Sequence, residues 1–287
     1  MDRQKVVLVM IDALGDAVAR AQCGYLMSLV EAGQARLWSM QSVLPSLSMP
    51  AYASLHTGTS PAEHGRVSND LEAMAPAPNV FSVVREAGGT TAAVAERLYA
   101  LLFNAAPFDD VEHLEVTDGP GWVTHGRFYT EVRHTRFNPS MPGDHDICNS
   151  ASLLIRRHRP DYLLVHSAAA DSVGHAFGAD SFEYRHQIWN MDNELALAIP
   201  VWRAAGYRVL VTSDHGMSAE GRHGGAEEGM RQVPFWDICG GHGGEVEGAV
   251  SQLAVAPTIL DLMGLPIPPE MREAPLVSRT YPATLAV

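Results

Sequence analysis

At 287 residues, with 46% hydrophobic and 18% charged residues, the chain can bury a large core and reads as one globular domain. Thirty-three acidic against twenty basic residues leave a net charge of −13, which argues against a grip on nucleic-acid backbone; no Lys/Arg block offsets it. Cys23, Cys148 and Cys239 have no CxxC spacing, and no apolar run reaches the roughly 18 residues of a membrane span. A soluble, cytoplasmic protein is therefore expected.

Lys5 to Ile11 is a continuous apolar run of the kind buried in a parallel sheet, and Asp12 follows it. Ala17 to Ala32 reads as a helix ending near Gly33, and a second strand falls within Ala35 to Val43. In LPSLSMPAYASLHTG, Pro45 and Pro50 bracket Ser46 and Ser48, and Ala51 to His56 has the apolar content of a helix started by Pro50. Ser48 then serves as a helix N-cap, as a group beside an anion site, or as both. The polar loop 58–70 leads to a short helix, Pro78 to Ala87, and a strand, Thr91 to Ala95.

From Asn104 to His145 the texture becomes irregular, with GPGW and NPSMPGD turns. This interval is expected to form a small cap or insert over the site and to set selectivity, with His113, His125, His134 and His145 as surface or cap residues. Asp144 to Arg157 reads as a helix, Tyr162 to Val165 as a strand, and Ser181 to Ala205 as a long helix that Pro200 interrupts. Tyr207 to Thr212 and Val233 to Ile238 are strands. GGHGGEVEG reads as a flexible polar loop, Val250 to Met263 as a helix, and the remainder as a Pro-rich tail. Alternating strands and helices across residues 1–287 predict a single α/β domain, a mostly parallel central sheet with helices on both faces.

In such sheets ligands gather at the carboxyl ends of the strands. Asp12, Asp171 and Asp214 all follow candidate strands on that edge. Asp171 and His175 lie four apart, so one helical turn puts both on one face, and His215 adjoins Asp214. Three carboxylates, two histidines and a proline-bracketed serine suit a two-metal hydrolytic site taking Zn²⁺ or Mn²⁺. No GxSxG elbow, Walker loop or GxGxxG is present, which argues against Ser-His-Asp hydrolase, ATPase and dinucleotide readings.

The ordered set VMIDALGD, LPSLSMPAYASLHTG, DSVGHAFG, TSDHGM and RHGGAEEGMRQVPF resembles the alkaline phosphatase superfamily, most closely its nucleotide pyrophosphatase/phosphodiesterase branch. The resemblance implies one zinc on Asp12, Ser48, Asp214 and His215, with Ser48 as nucleophile. It implies a second zinc on Asp171, His175 and a later histidine in an HG pair. His223 is preferred for that last position because MRQVPF follows it; His242 is the competing assignment. It also implies that Asn69, in HGRVSN, contacts the phosphoryl oxygens. The expected activity is a phosphodiesterase/nucleotide pyrophosphatase acting through a covalent phosphoserine. Threonine is the usual nucleophile of that branch, so Ser48 leaves phosphomonoesters, phosphonates or sulfate esters open, and SMPAY lacks the arginine that a sulfatase context requires. Phosphomutase or phosphonate hydrolysis on the same site with a different cap is a further alternative. A non-catalytic metal-binding protein on the same scaffold is the alternative from another class.

Overall fold

A nine-stranded sheet organises the chain in the computed structural model, which describes residues 3–70, 72–130 and 142–277. In chain order, β1 (Lys5–Ile11) is followed by α1 (Asp16–Gln22), α2 (Gly24–Glu31), β2 (Arg36–Gln41), α3 (Ser48–Thr57) and the single turn α4 (Pro61–His64). Then come α5 (Val80–Glu86), β3 (Thr91–Glu96), α6 (Arg97–Phe103), β4 (Glu115–Val116), β5 (His125–Tyr129) and α7 (Asp144–His158). They lead to β6 (Tyr162–Ser167), α8 (Ala169–Phe177), α9 (Phe182–Ala204), β7 (Tyr207–Thr212) and the turn α10 (Glu228–Arg231). β8 (Gln232–Ile238), β9 (Gly244–Ser251), a 3₁₀ turn at Gln252–Ala254 and α11 (Val255–Met263) follow.

The strand order is β4-β5-β3-β6-β1-β7-β8-β2-β9. Neighbours are parallel from β5 through β7 and again at β2–β9; β8 runs antiparallel to both β7 and β2, and β4 to β5. This is the expected α/β fold, a mostly parallel sheet with helices on both faces, in the alkaline-phosphatase manner. β1 shows why both faces must be covered. Val6, Leu8 and Met10 enter one core with α3, α5, α6 and α11, while Val7, Val9 and Ile11 enter the other with α1, α2, α7 and α9. Every one of these side chains is buried, which is why the strand reads as an unbroken apolar run.

β1 lies between β6 and β7 with Met10 opposite both His166 and Thr212, so the three strands end level. Their carboxyl ends release Asp12, the turn into α8, and Ser213-Asp214-His215 onto one edge. No helix among the described residues is long and apolar enough to cross a membrane.

Several elements differ from the sequence expectation, each for a local reason. The helix expected over 17–32 breaks at Cys23-Gly24 into α1 and α2. α3 begins at Ser48 rather than after Pro50, because Pro50 occupies its first turn, where no intrahelical N–H is required. α9 runs on through Pro200, held by the buried face of Ile188, Leu195, Ile199 and Trp202. GGHGGEVEG is not a flexible loop throughout: Gly244 onward forms β9, an edge strand paired to β2 whose exposed charges and glycines hide the strand pattern. In the interval expected as a cap, β4 and β5 extend the main sheet beyond β3, and His125 is buried against His158 at 3.7 Å between ring centroids. His113 and His145 lie towards the surface, and His134 falls outside the described residues.

His56 sits at the centre of an aromatic cluster on α3. It stacks on Phe81, its Nδ1 donates to the Tyr52 carbonyl at 2.9 Å, and its Nε2 lies 2.9 Å from the Tyr162 hydroxyl. Full burial holds the imidazole down to about 4. The unfolded chain therefore binds a proton near pH 6.5 that the folded chain refuses until about pH 4. The stability His56 contributes is present above pH ~6.5 and is lost as pH falls through that window, by about 3 kcal/mol in all. In urea titrations at stepped pH, His56→Phe should flatten the fall of stability between those values while lowering the plateau. An unchanged slope would remove His56 as its source.

Candidate metal centre and nucleophile

The sheet edge converts strand ends into a cluster of ligands. Asp12 leaves β1 with its amide donating to the Ser167 carbonyl at 2.9 Å. Ala13 then takes a positive φ of 61°, and its N–H donates to Asp214 Oδ1 at 3.1 Å, tying the β1 and β7 ends together. The Leu14 N–H donates to Ser213 Oγ at 2.8 Å, and the Ser42 hydroxyl and Gln252 amide hold the Asp214 carbonyl. Gly216 has to be glycine: a Cβ there would stand 2.1 Å from the Gly229 carbonyl oxygen, where the loop after His223 crosses the Asp-His-Gly turn.

Asp12, Asp214 and His215 form one cluster able to hold a cation. His215 Nε2 lies 3.1 Å from Asp214 Oδ2, 3.5 Å from Asp12 Oδ1 and 3.3 Å from Ser48 Oγ. Asp171, His215 and His223 form an overlapping cluster. His223 Nε2 lies 3.5 Å from Asp171 Oδ1 and 3.1 Å from His175 Nε2, and His175 Nε2 lies 3.4 Å from Asp171 Oδ2. Asp171 and His175 share one face of α8. Thus Asp12, Ser48, Asp214 and His215 come together, as do Asp171, His175 and His223, and the two groups adjoin through the stacked rings of His215 and His223.

The tautomers of the three histidines decide what this arrangement can hold. His215 Nδ1 faces the Gly216 carbonyl at 3.0 Å, His175 Nδ1 that of Gly221 at 2.8 Å, and His223 Nδ1 that of Ser46 at 3.1 Å. A carbonyl only accepts, so each Nδ1 carries a proton, and each ring in its neutral form turns an Nε2 lone pair inward. Burial holds His215 well below its ordinary value, helped by the neighbouring His223, and burial holds His223 down to about 4. Lone pairs therefore face lone pairs: His175 Nε2 against His223 Nε2, and His215 Nε2 against Asp214 Oδ2, a buried oxygen with no hydrogen-bond donor among the described residues. Burial, and after it the charge of Asp12, pushes Asp214 well above the ordinary carboxylate range. A cation between such groups relieves each of these conflicts, and imidazole with carboxylate is the donor set of Zn²⁺ or Mn²⁺. The residues fit two divalent ions.

Ser48 opens α3 but does not cap it. Leu47 is the N-cap residue, and Ser48, 6% exposed as a residue, turns its hydroxyl toward His215 instead. Asn69 arrives from the loop after α4, and its Oδ1 accepts the Met49 N–H at 2.9 Å. That bond caps α3 from outside and sets the Asn69 amide N–H₂ beside the Ser48 turn. Ser46 pins the opposite wall: its carbonyl accepts from His223, its hydroxyl donates to the Gly225 carbonyl at 2.8 Å, and the Gly224 N–H donates to Ser46 Oγ at 3.1 Å. His242 is elsewhere. It sits in the β8–β9 loop, where its carbonyl accepts from Arg36 at the start of β2, at the sheet edge opposite Asp214.

Sequence reasoning missed the layer behind the ligands. The Tyr52 hydroxyl donates to Asp12 Oδ2 and lies 2.9 Å from His166 Nε2, and the Tyr129 hydroxyl reaches His166 from the other side. A histidine near the end of the otherwise apolar YLLVHS strand is the one signal that marks this layer.

Residues 6–228 match the profile of the family described as type I phosphodiesterase / nucleotide pyrophosphatase. The chain is 27% identical over 286 residues to the catalytic subunit of human GPI ethanolamine phosphate transferase 2, covering 92% of this chain and 27% of that protein. It is 34% identical over 133 residues to the 2,3-bisphosphoglycerate-independent phosphoglycerate mutase of Wolinella succinogenes, covering 44% of this chain and 25% of that enzyme. The chain thus spans about a quarter of the length of these curated relatives. The fold superimposes on an inactive murine ectonucleotide pyrophosphatase / phosphodiesterase 5 solved with AMP, at a TM-score of 0.67 and 14% identity, over 93% of this chain and 96% of that one.

Proposed function

We propose that this chain, which belongs to the type I phosphodiesterase / nucleotide pyrophosphatase family, is a two-metal hydrolase of phosphate esters working through a phosphoserine on Ser48. A small phosphodiester or nucleotide-type pyrophosphate is its substrate. The observation that carries the reading is the convergence of three histidine lone pairs and three carboxylates beside one buried serine hydroxyl.

Asp12, Asp214, His215 and Ser48 would hold one ion, and Asp171, His175 and His223 the other, with Zn²⁺ the preferred metal and Mn²⁺ the alternative. Bound divalent ions supply the positive field that lowers the serine pKa and neutralises phosphoryl oxygens. The chain's own groups do the rest. Ser48 Oγ attacks phosphorus as its proton leaves to solvent; the new Oγ–P bond forms as the P–O bond to the leaving group breaks, and the departing alkoxide takes a proton from water. The Asn69 amide donates to a phosphoryl oxygen, and the first turn of α3 adds N–H groups where negative charge gathers. Water then cleaves the phosphoserine and returns Ser48.

The names of the two curated relatives favour a second reading, in which an alcohol rather than water takes the phosphoryl group. One experiment separates the readings from each other and from a non-catalytic scaffold. Zinc- or manganese-loaded protein is assayed on mono-, di-, pyro-, phosphono- and sulfate esters, with and without added glycerol. Diester or pyrophosphate turnover releasing the free acid supports the proposal. A phosphorylated glycerol product favours transfer, and monoester preference assigns a different branch. No turnover of any ester would contradict both catalytic readings and leave the non-catalytic scaffold.

A further inference from the structure

A buried chain of hydrogen bonds ends on one oxygen of Asp12. The Glu96 N–H donates to His166 Nδ1 at 3.4 Å, and the Tyr129 hydroxyl lies 3.2 Å from the same nitrogen. A backbone amide only donates, so Nδ1 accepts and the neutral ring carries its proton on Nε2. Nε2 lies 2.9 Å from the Tyr52 hydroxyl and 3.3 Å from Asp12 Oδ2, while the Tyr52 hydroxyl itself donates to Oδ2. The protons of His166 Nε2 and the Tyr52 hydroxyl therefore point toward Asp12 Oδ2, while the Tyr129 hydroxyl donates to the His166 carbonyl at 3.0 Å and braces the strand. Oδ1 of the same carboxylate faces His215 Nε2 at 3.5 Å.

Four elements contribute: Tyr52 from α3, His166 from β6, Tyr129 from β5 and Glu96 from β3. Tyr52 is 1% exposed and His166 fully buried, within aromatic surroundings that include Tyr99 stacked on Tyr52 at 4.1 Å. Burying this many polar groups in an apolar core costs stability unless each is satisfied, and here their satisfaction is directed at a single ligand oxygen. Such partners orient a ligand and raise its basicity.

We infer that Tyr52 and His166 are positioning residues that hold Asp12 with Oδ1 toward the cation shared with Asp214 and His215, and so set the affinity of that one site. The inference rests on the two-metal reading. Tyr52→Phe removes one hydroxyl and keeps the ring stack. His166→Gln tests the next link, with a side-chain amide able to restore a donor. Tyr99→Phe is the control, because it removes from the same stack a buried hydroxyl with no hydrogen-bond partner among the described residues.

Zinc affinities of both sites are measured by competition with a chromophoric chelator, and the cobalt absorption spectrum reports ligand geometry. Tyr52→Phe should weaken one of two sites by about 10- to 100-fold and shift its cobalt bands, leaving the other site within about twofold. His166→Gln should weaken the same site by less, and Tyr99→Phe should leave both unchanged. Equal loss at both sites in Tyr52→Phe, or none at either, overturns the inference. Wild-type protein that takes up fewer than two ions instead overturns the two-metal reading beneath it. Thermal melts of the metal-free variants separate loss of affinity from loss of fold.

Discussion

Ser48→Ala should reduce kcat by about 10³-fold or more, over 4 kcal/mol of transition-state stabilisation, while barely moving the melting temperature of the metal-free protein. The two halves of this result come from one geometry. Ser48 Oγ makes no capping bond within α3 and lies 3.3 Å from His215 Nε2, so its removal strips a reacting atom from the site and little from the helix. Alanine at a first helical position is also a good helix former, which limits the stability change to about 0.5 kcal/mol. Steady-state assays beside differential scanning calorimetry check both halves. Retained turnover would remove the covalent mechanism, and a collapse in stability would make Ser48 structural.

Asp214→Asn should act in the opposite sense on the metal-free and metal-loaded protein. Its Oδ1 still accepts the Ala13 N–H, so the link between the β1 and β7 ends survives. Without a cation, the charge of Asp12 adds to the cost of ionising the buried Asp214, and the amide removes that conflict. The metal-free variant should therefore melt no lower than wild type. With zinc the order reverses. An ion at about 100 times its Kd adds about 2.7 kcal/mol to the protein that binds it, and the variant should lose at least that share at one site. Paired melts with chelator and with zinc measure the crossing. A variant stabilised by zinc as strongly as wild type would show that Asp214 is not a ligand.

The same physical distinction explains what the sequence made legible. β1 from Val6 onward and all of β7 are buried, so their apolar runs mark their limits, and the polar residues where those runs end mark the sheet edge. Asp12, Asp214 and His215 were readable because a carboxylate directly after such a run has few structural reasons to be there. Asp171 and His175 were readable once a helical turn was placed after β6. Asn69 and His223 came only from family resemblance; nothing in their local pattern separates them from ordinary loop residues. β9 escaped because an exposed edge strand of Gly244-Glu-Val-Glu-Gly lacks an apolar face. Tyr52 and His166 escaped because their meeting with Asp12 joins positions 12, 52 and 166, a contact the fold creates and no local spacing announces.

The central claim, two cations held at one sheet edge by these ligands, is most directly tested by metal stoichiometry. Metal-free wild-type protein is titrated with Zn²⁺, and bound metal is counted by elemental analysis after gel filtration. Saturation at two ions per chain, falling to one in Asp214→Asn and to one in a His175→Ala, His223→Ala double variant, is the result predicted here. Saturation below two in the wild type, or two ions retained by either variant, would contradict it.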